Sequence, residues 1–219
     1  MLKNLTHHIN ELFQPRELIL TFPVILICLF VMLLAPDSIL LLRYETHSVN
    51  QGELWRLITA NFTHSNWNHA LLNLAGLVII DRLLGQFIEV AKRAYLLIFC
   101  FALNVIVLHF IKELDWYVGA SGALHGYLLG GSLLLWNSKD KAELFLFFKS
   151  LCFNVKPIFR LVSIGVVAKV FVELNWNINQ STAELIGTQV LAEAHLSGLI
   201  AALLAVIFYP SFYHIFFKN

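Results

Sequence analysis

The chain has 219 residues, 58% of them hydrophobic and only 13% charged, with a mean hydropathy of +0.73 and a formal net charge of +1. Those values exclude an ordinary water-soluble domain and make a membrane the solvent for most of the chain. They also exclude nucleic acid as a partner, because the sequence has neither a basic field nor a Lys/Arg cluster interleaved with aromatics.

A helix needs about 20 apolar residues to cross a bilayer core. Six stretches approach that length, at about 17–35, 67–85, 94–111, 119–136, 158–174 and 188–209. The expected fold class is therefore all-α: a polytopic membrane protein, a six-transmembrane-helix bundle forming one domain over residues 1–219 with its core at 55–209. The first run follows Lys3 and Arg16 and lacks a small-residue cleavage site after it, so it reads as an uncleaved span rather than a signal peptide. The connection at about 36–66 carries Pro36, Asp37, Arg43, Glu45, Gly52 and Glu53 and is expected to pack on or in the outer leaflet. The segment 141–153, "KAELFLFFKSLCF", is apolar but short and is bounded by Lys141, Lys149, Lys156 and Pro157, which predicts an interfacial piece rather than a seventh span.

Lys and Arg set the orientation. With both termini cytoplasmic, the inner pieces carry Lys3, Arg16, Arg82, Lys92, Arg93, Lys139, Lys141, Lys149, Lys156, Arg160 and Lys218, and the outer loops only Arg43, Arg56 and Lys112. Eleven against three follows the positive-inside rule. Cys28, Cys100 and Cys152 are odd in number and have no C-x-x-C spacing, so they read as apolar core residues and not as a disulfide or zinc framework.

Polar side chains inside apolar spans are costly, which makes them candidates for function. Three groups occur, each near the outer end of its span. In "HSNWNHALLN", His64 precedes the second span, and His69 and Asn73, four residues apart, share one of its faces. In "GASGALHG", Ser121 and His125 are likewise four apart at the start of the fourth span. In "AEAHLSG", His195 is expected about two turns into the sixth. At a common depth these residues supply the parts of acyl transfer: a hydroxyl nucleophile in Ser121, a proton acceptor in His195, and oxyanion donors in His69 and Asn73. Gly119, Gly122, Gly126 and Gly198 leave room for close helix approach, and the helix N-terminus at Ser121 favours negative charge. No cofactor or metal is expected.

This ordered set resembles the rhomboid family of intramembrane serine proteases. The resemblance rests on Trp55–Arg56, His64, His69-x-x-x-Asn73, the G-x-S-G at Gly119–Gly122, and Ala194-His195-x-x-Gly198, and covers residues 55–202. It implies a Ser121–His195 dyad without a required acid, and an oxyanion hole made by the Ser121 N–H with His69 and Asn73. Two departures stand out. The tyrosine that such proteins commonly carry four residues after the serine is His125, and a second glycine of the sixth span is Ala202. The G-x-S-G-x-x-H-G form is similar to the rhombosortase branch. That branch implies a bacterial inner-membrane enzyme working near the outer face, and as substrate a transmembrane protein whose C-terminal tail has a glycine-rich motif, a hydrophobic helix and basic residues. Membrane lipid is then the expected amine acceptor in some cases.

His125 has two functional readings, a ring stacked on His195 or a second proton carrier, and one bland reading, packing with a hydrogen bond to a carbonyl. Lys169 and Glu173, four apart on the fifth span, read either as a structural ion pair or as a contact to substrate or acyl acceptor. His7, His8, His47 and His214 read as solvated or interfacial, and His109 as a helix-end residue. Rival functions are an ordinary hydrolytic rhomboid acting on other single-span substrates and a noncatalytic helix-binding relative. A metalloenzyme is disfavoured by the lack of H-E-x-x-H and of a carboxylate accompanying the histidines. A transporter is disfavoured because the polar groups gather at one face.

Overall fold

The computed structural model describes residues 19–137, 143–145, 152–154, 156–176 and 179–217. In chain order the elements are α1 (Thr21–Leu33), α2 (Asp37–Leu42), β1 (Tyr44–Glu45), α3 (Thr46–Asn50), α4 (Arg56–Thr59) with a 3-10 turn at Ala60–Phe62, α5 (Trp67–Gly85), α6 (Val90–Ile111), β2 (Trp116–Tyr117), α7 (Ser121–Asn137), β3 (Glu143–Phe145), β4 (Cys152–Asn154), α8 (Lys156–Asn175), α9 (Gln180–Ile186) and α10 (Ala192–Phe217). The six longest helices overlap the six apolar stretches. Two of them, α6 and α10 as far as Pro210, have both the length and the apolarity to cross a membrane; α1 is apolar but has 13 residues.

The outward faces of the longer helices are apolar. Phe22, Leu26 and Phe30 on α1, Ile98 and Phe110 on α6, Leu161, Ile164 and Phe171 on α8, and Leu203, Ile207 and Phe208 on α10 are all exposed. Such a continuous apolar exterior would be unstable in water and is matched by lipid. Polar residues such as Asn61, His64, Asp81, Asn104 and Ser197 are fully buried instead.

Helix α7 is the centre of the bundle, touching α5, α6, α8 and α10. Its glycines make the approach to α10 possible. A Cβ at Gly198 would run into the Gly122 carbonyl, and one at Gly126 into the Gly198 carbonyl. Small residues thus let two backbones touch where lipid supplies no hydrophobic drive for association. Ala202 continues the same seam: a Cβ at Gly130 would lie 3.7 Å from the Ala202 Cβ, so α7 provides the space that a glycine on α10 would otherwise leave.

The far end of the bundle is closed by a buried ion pair. Arg93 Nη1 lies 2.6 Å from Asp81 Oδ1, and the Tyr127 hydroxyl donates to the same oxygen at 2.6 Å. Arg93, expected as an inner-loop charge, is therefore a core residue that neutralises a carboxylate on α5. Arg56, expected as an outer-loop charge, is also buried. Its guanidinium donates to Glu53 and to the carbonyls of Leu40 (2.9 Å) and Arg43 (2.8 Å), tying together the connection that precedes α5. Sequence position alone does not show a partner, so neither burial is visible without the fold.

That connection is folded onto the helices. β1 pairs antiparallel with β2 in the register Tyr44↔Tyr117 and Glu45↔Trp116, and the Tyr44 hydroxyl reaches His109 Nδ1 at 2.8 Å. Within the segment expected to be interfacial, β3 and β4 form a two-stranded antiparallel ribbon; its other residues lie outside those described, as do Lys3, Arg16, Lys139, Lys141, Lys149, Lys218, His7 and His8. Helix α10 starts at Ala192, not near 188. Residues 187–191 are not helical, with Gly187 left-handed at φ +63°, so His195 sits in the first turn of α10 rather than about two turns in. Gly187 is the C-cap of α9, and the chain from Thr188 to Leu191 leads into α10 without helical structure.

Candidate active site

Three helices begin at one end of the bundle and each brings a polar residue in its opening turns: His69 on α5, Ser121 on α7 and His195 on α10. The end of α8, which runs the other way, adds Lys169 and Glu173. All five line one cavity of about 820 Å³, together with Asn73 and His125.

Ser121 is the first residue of α7. Its entry turn is fixed by Gly119, whose φ of +119° is a conformation that side-chain-bearing residues rarely adopt, and whose missing Cβ would lie 2.9 Å from the His69 ring. The Gly119 N–H donates to the Ala60 carbonyl at 2.9 Å, and the Tyr117 hydroxyl donates to the Gly119 carbonyl at 2.9 Å. The first intrahelical bond of α7 is Leu124 N–H to the Ala120 carbonyl, so the N–H groups of Ser121, Gly122 and Ala123 precede any helical acceptor.

Ser121 Oγ is 3.2 Å from His195 Nε2, within reach for proton transfer. The other ring nitrogen of His195, Nδ1, is 2.7 Å from Glu173 Oε2. A carboxylate only accepts, so Nδ1 carries the hydrogen and the Nε2 lone pair faces the serine hydroxyl. The turn holding His195 is anchored below by Ser197, whose hydroxyl lies 2.7 Å from Asn104 Oδ1, while Asn104 Nδ2 donates to Asn61 Oδ1 at 3.0 Å and Asn61 in turn to the Phe101 carbonyl at 2.9 Å. This fully buried chain joins α10 to α6 and the 3-10 turn.

His125 stacks on His195, with ring centroids 4.0 Å apart and planes 22° off parallel. Its Nδ1 donates to the Ser121 carbonyl at 2.7 Å, so its Nε2 is an acceptor, and Lys169 Nζ donates to it at 3.0 Å. Lys169 also donates to Glu173 Oε1. The stacked reading and the carbonyl-bonded reading of His125 both describe its geometry.

Behind His69, His64 is fully buried and meets the His69 ring edge-on at 5.0 Å. His69 Nδ1 is 3.1 Å from Ser65 Oγ, its N–H donates to the capping Asn66 side chain at 2.9 Å, and Asn73 Nδ2 donates to the His69 carbonyl at 3.1 Å. When the Ser65 hydroxyl donates, His69 Nε2 carries the ring hydrogen and is a donor on the Gly119 side.

The structure therefore brings together Ser121, His195, His125, Lys169 and Glu173 by direct contact, and sets His69 and Asn73 on the same cavity. One expectation is overturned: a carboxylate does accompany the histidines. Glu173 is conspicuous in the sequence, but its contact with His195 is not, nor are the roles of Ser65, Tyr117 and Asn104. Only the S-x-x-x-H spacing of Ser65 and His69 hinted at any of these. The donors of His125, Glu173 and His195 come within 4.8 Å of one another, a spacing that a metal ion could bridge. Within that cluster the Lys169 ammonium donates to His125 Nε2 and to Glu173 Oε1.

Inward-facing polar side chains in an apolar-coated helical bundle, with a serine and an imidazole in hydrogen-bond contact, define a membrane-embedded hydrolase type of site. The family model described as Rhomboid domain matches residues 51–212, well over half of the chain. The chain belongs to the rhomboid family, and so to a family of intramembrane serine proteases and membrane proteins. No curated protein matches it.

Proposed function

We propose that the protein is a rhombosortase-like protease of a bacterial inner membrane, a six-span single domain with both termini cytoplasmic, cutting the glycine-rich C-terminal tail of surface or secreted proteins near the outer face. The 3.2 Å contact between Ser121 Oγ and His195 Nε2 inside the shared cavity carries the chemical part of this reading. The G-x-S-G-x-x-H-G form supports the choice of branch.

In this mechanism Ser121 Oγ attacks the scissile carbonyl carbon and its proton passes to His195 Nε2. The tetrahedral oxyanion lies against the Ser121 N–H at the start of α7, with His69 Nε2–H and the free N–H of Asn73 as further donors. On collapse the C–N bond breaks, His195 gives its proton to the departing amine, and an ester on Ser121 remains. Water or a lipid-type amine then attacks the ester carbon and passes a proton to His195 Nε2; on collapse the C–Oγ bond breaks, His195 returns that proton to Oγ, and the acid or amide product leaves. Glycines suit this chemistry in the substrate, because leaving a helix costs about 1 kcal/mol less at each glycine than at alanine. Lys169, with its side chain 47% exposed, is the cation that meets substrate or acceptor at the cavity wall.

Asn73→Ala is expected to remove one oxyanion donor and cost about 3 kcal/mol of transition-state stabilisation, a fall of roughly 10²- to 10³-fold in kcat with KM little changed. Single-turnover cleavage of a reporter checks this. A loss below threefold removes Asn73 from the oxyanion site.

The substrate assignment is tested in liposomes with a reporter ending in a glycine–helix–basic tail, the same tail with its glycines changed to leucine, and an unrelated single-span segment. Selective cleavage of the first, with mass spectrometry placing the cut near the glycines, is the expected result. Equal cleavage of all three identifies an ordinary hydrolytic rhomboid. With a primary amine present, His125→Tyr should retain hydrolysis and lose amine transfer if His125 carries a proton for the acceptor; retention of both leaves His125 only its stacking role.

A further inference from the structure

We propose that Glu173 is the positioning carboxylate of a Ser121–His195–Glu173 triad whose geometry is locked by Lys169. The inference rests on the serine-protease reading above and departs from the acid-free dyad that the family resemblance implies.

The observations form a closed ring of hydrogen bonds. Ser121 Oγ–H points to His195 Nε2 (3.2 Å), His195 Nδ1–H to Glu173 Oε2 (2.7 Å), Lys169 Nζ to Glu173 Oε1 and to His125 Nε2 (3.0 Å), and His125 Nδ1–H back to the Ser121 carbonyl (2.7 Å). Each bond in the ring pairs a donor with an acceptor, and neither nitrogen of either imidazole is left over. The Glu173 side chain is 2% exposed, so its charge is compensated by these contacts and not by water.

Three consequences follow from that ring. Glu173 fixes the His195 tautomer, since an acceptor at Nδ1 leaves only Nε2 to take the serine proton. Its negative charge stabilises the imidazolium that forms during attack, while remaining a carboxylate throughout. Lys169 occupies the second carboxylate oxygen and keeps the first aimed at His195, while the His125 ring covers the face of the same imidazole at 4.0 Å. A plain ion pair along α8 would require none of this, because Lys169 and Glu173 could pair on the lipid face without His195.

The two carboxylate oxygens each accept one bond, and an amide has only one acceptor. Glu173→Gln must therefore either turn its NH₂ toward His195 Nδ1, selecting the wrong tautomer, or turn it toward the Lys169 ammonium, setting donor against donor. Changing Lys169 to Met as well removes the second conflict and lets the amide oxygen accept from Nδ1.

The test is active-site labelling of the purified full chain in detergent with a fluorophosphonate, which needs no knowledge of the substrate. Its limiting rate and its half-saturating concentration are measured separately, with thermal unfolding recorded for each variant. Wild-type labelling that is absent in Ser121→Ala establishes the nucleophile; labelling unaffected by Ser121→Ala overturns the protease reading and the triad with it. Given a labelled Ser121, Glu173→Gln is expected to lower the limiting rate by about 10²- to 10⁴-fold with the half-saturating concentration unchanged. Lys169→Met/Glu173→Gln is expected to regain at least about tenfold of that loss, one energetic factor of 1.4 kcal/mol. A folded Glu173→Gln that labels within threefold of wild type overturns the triad, as does a double variant no faster than the single one. If Glu173→Gln alone is too unstable to purify, the double variant decides: labelling above the Ser121→Ala background supports the triad, and background labelling overturns it.

Discussion

Ser121→Ala and His195→Ala are each expected to lower kcat on the glycine-tail reporter by about 10⁶-fold, and the double variant by no more than either alone. Non-additivity is the informative part. The hydroxyl and the imidazole act as one unit: without Oγ there is no acyl-enzyme, and without Nε2 the proton on Oγ has no acceptor at 3.2 Å. The two variants should nevertheless differ in stability. Ser121 is only partly buried, and losing its small hydroxyl strands no buried charge, whereas removing the His195 ring takes a hydrogen bond from the buried Glu173 carboxylate and the stacking partner from His125. Thermal unfolding in detergent should show Ser121→Ala near wild type and His195→Ala clearly lower, by an amount equivalent to about 1–3 kcal/mol. Residual cleavage above one hundredth of wild type in either variant would show that the reaction does not pass through these two atoms.

The residues of the site were legible because lipid makes polar side chains conspicuous. Ser121, His195, His69 and Asn73 stand out in apolar runs, and the helices that carry them start at one end of the bundle. What joins them was less legible. Glu173 and His195 are separated by 22 residues and by α9, and their contact depends on how the end of α8 meets the start of α10. No helical periodicity encodes that meeting. The depth of His195 is hidden for a related reason: a span drawn from 188 puts it two turns in, but Gly187 ends α9 and the next helix starts only at Ala192. Arg93 and Arg56 show the opposite failure. Each looks like a loop charge until Asp81, or the carbonyls of Leu40 and Arg43, are seen to enclose it.

Gly198→Ala is expected to be as damaging to the reaction as loss of an oxyanion donor, although Gly198 touches no reacting atom. The obstacle to a Cβ there is the Gly122 carbonyl, a backbone group that cannot rotate away as a side-chain tip would. Relief requires α7 and α10 to separate, and these helices carry Ser121 one residue before Gly122 and His195 three residues before Gly198. Overpacking of this kind costs about 1–3 kcal/mol, and an opening near 1 Å between nucleophile and base lowers the rate by roughly 10²-fold. Gly165→Ala on α8 is the control, because a Cβ there meets nothing within 4 Å. It should be neutral or more stable by up to about 1 kcal/mol from the helix propensity of alanine. Comparing the two by thermal unfolding and by the limiting rate of fluorophosphonate labelling separates a general effect of alanine from a specific clash. If Gly198→Ala matched Gly165→Ala in both measurements, the α7–α10 contact would not be what holds the serine and the imidazole in register.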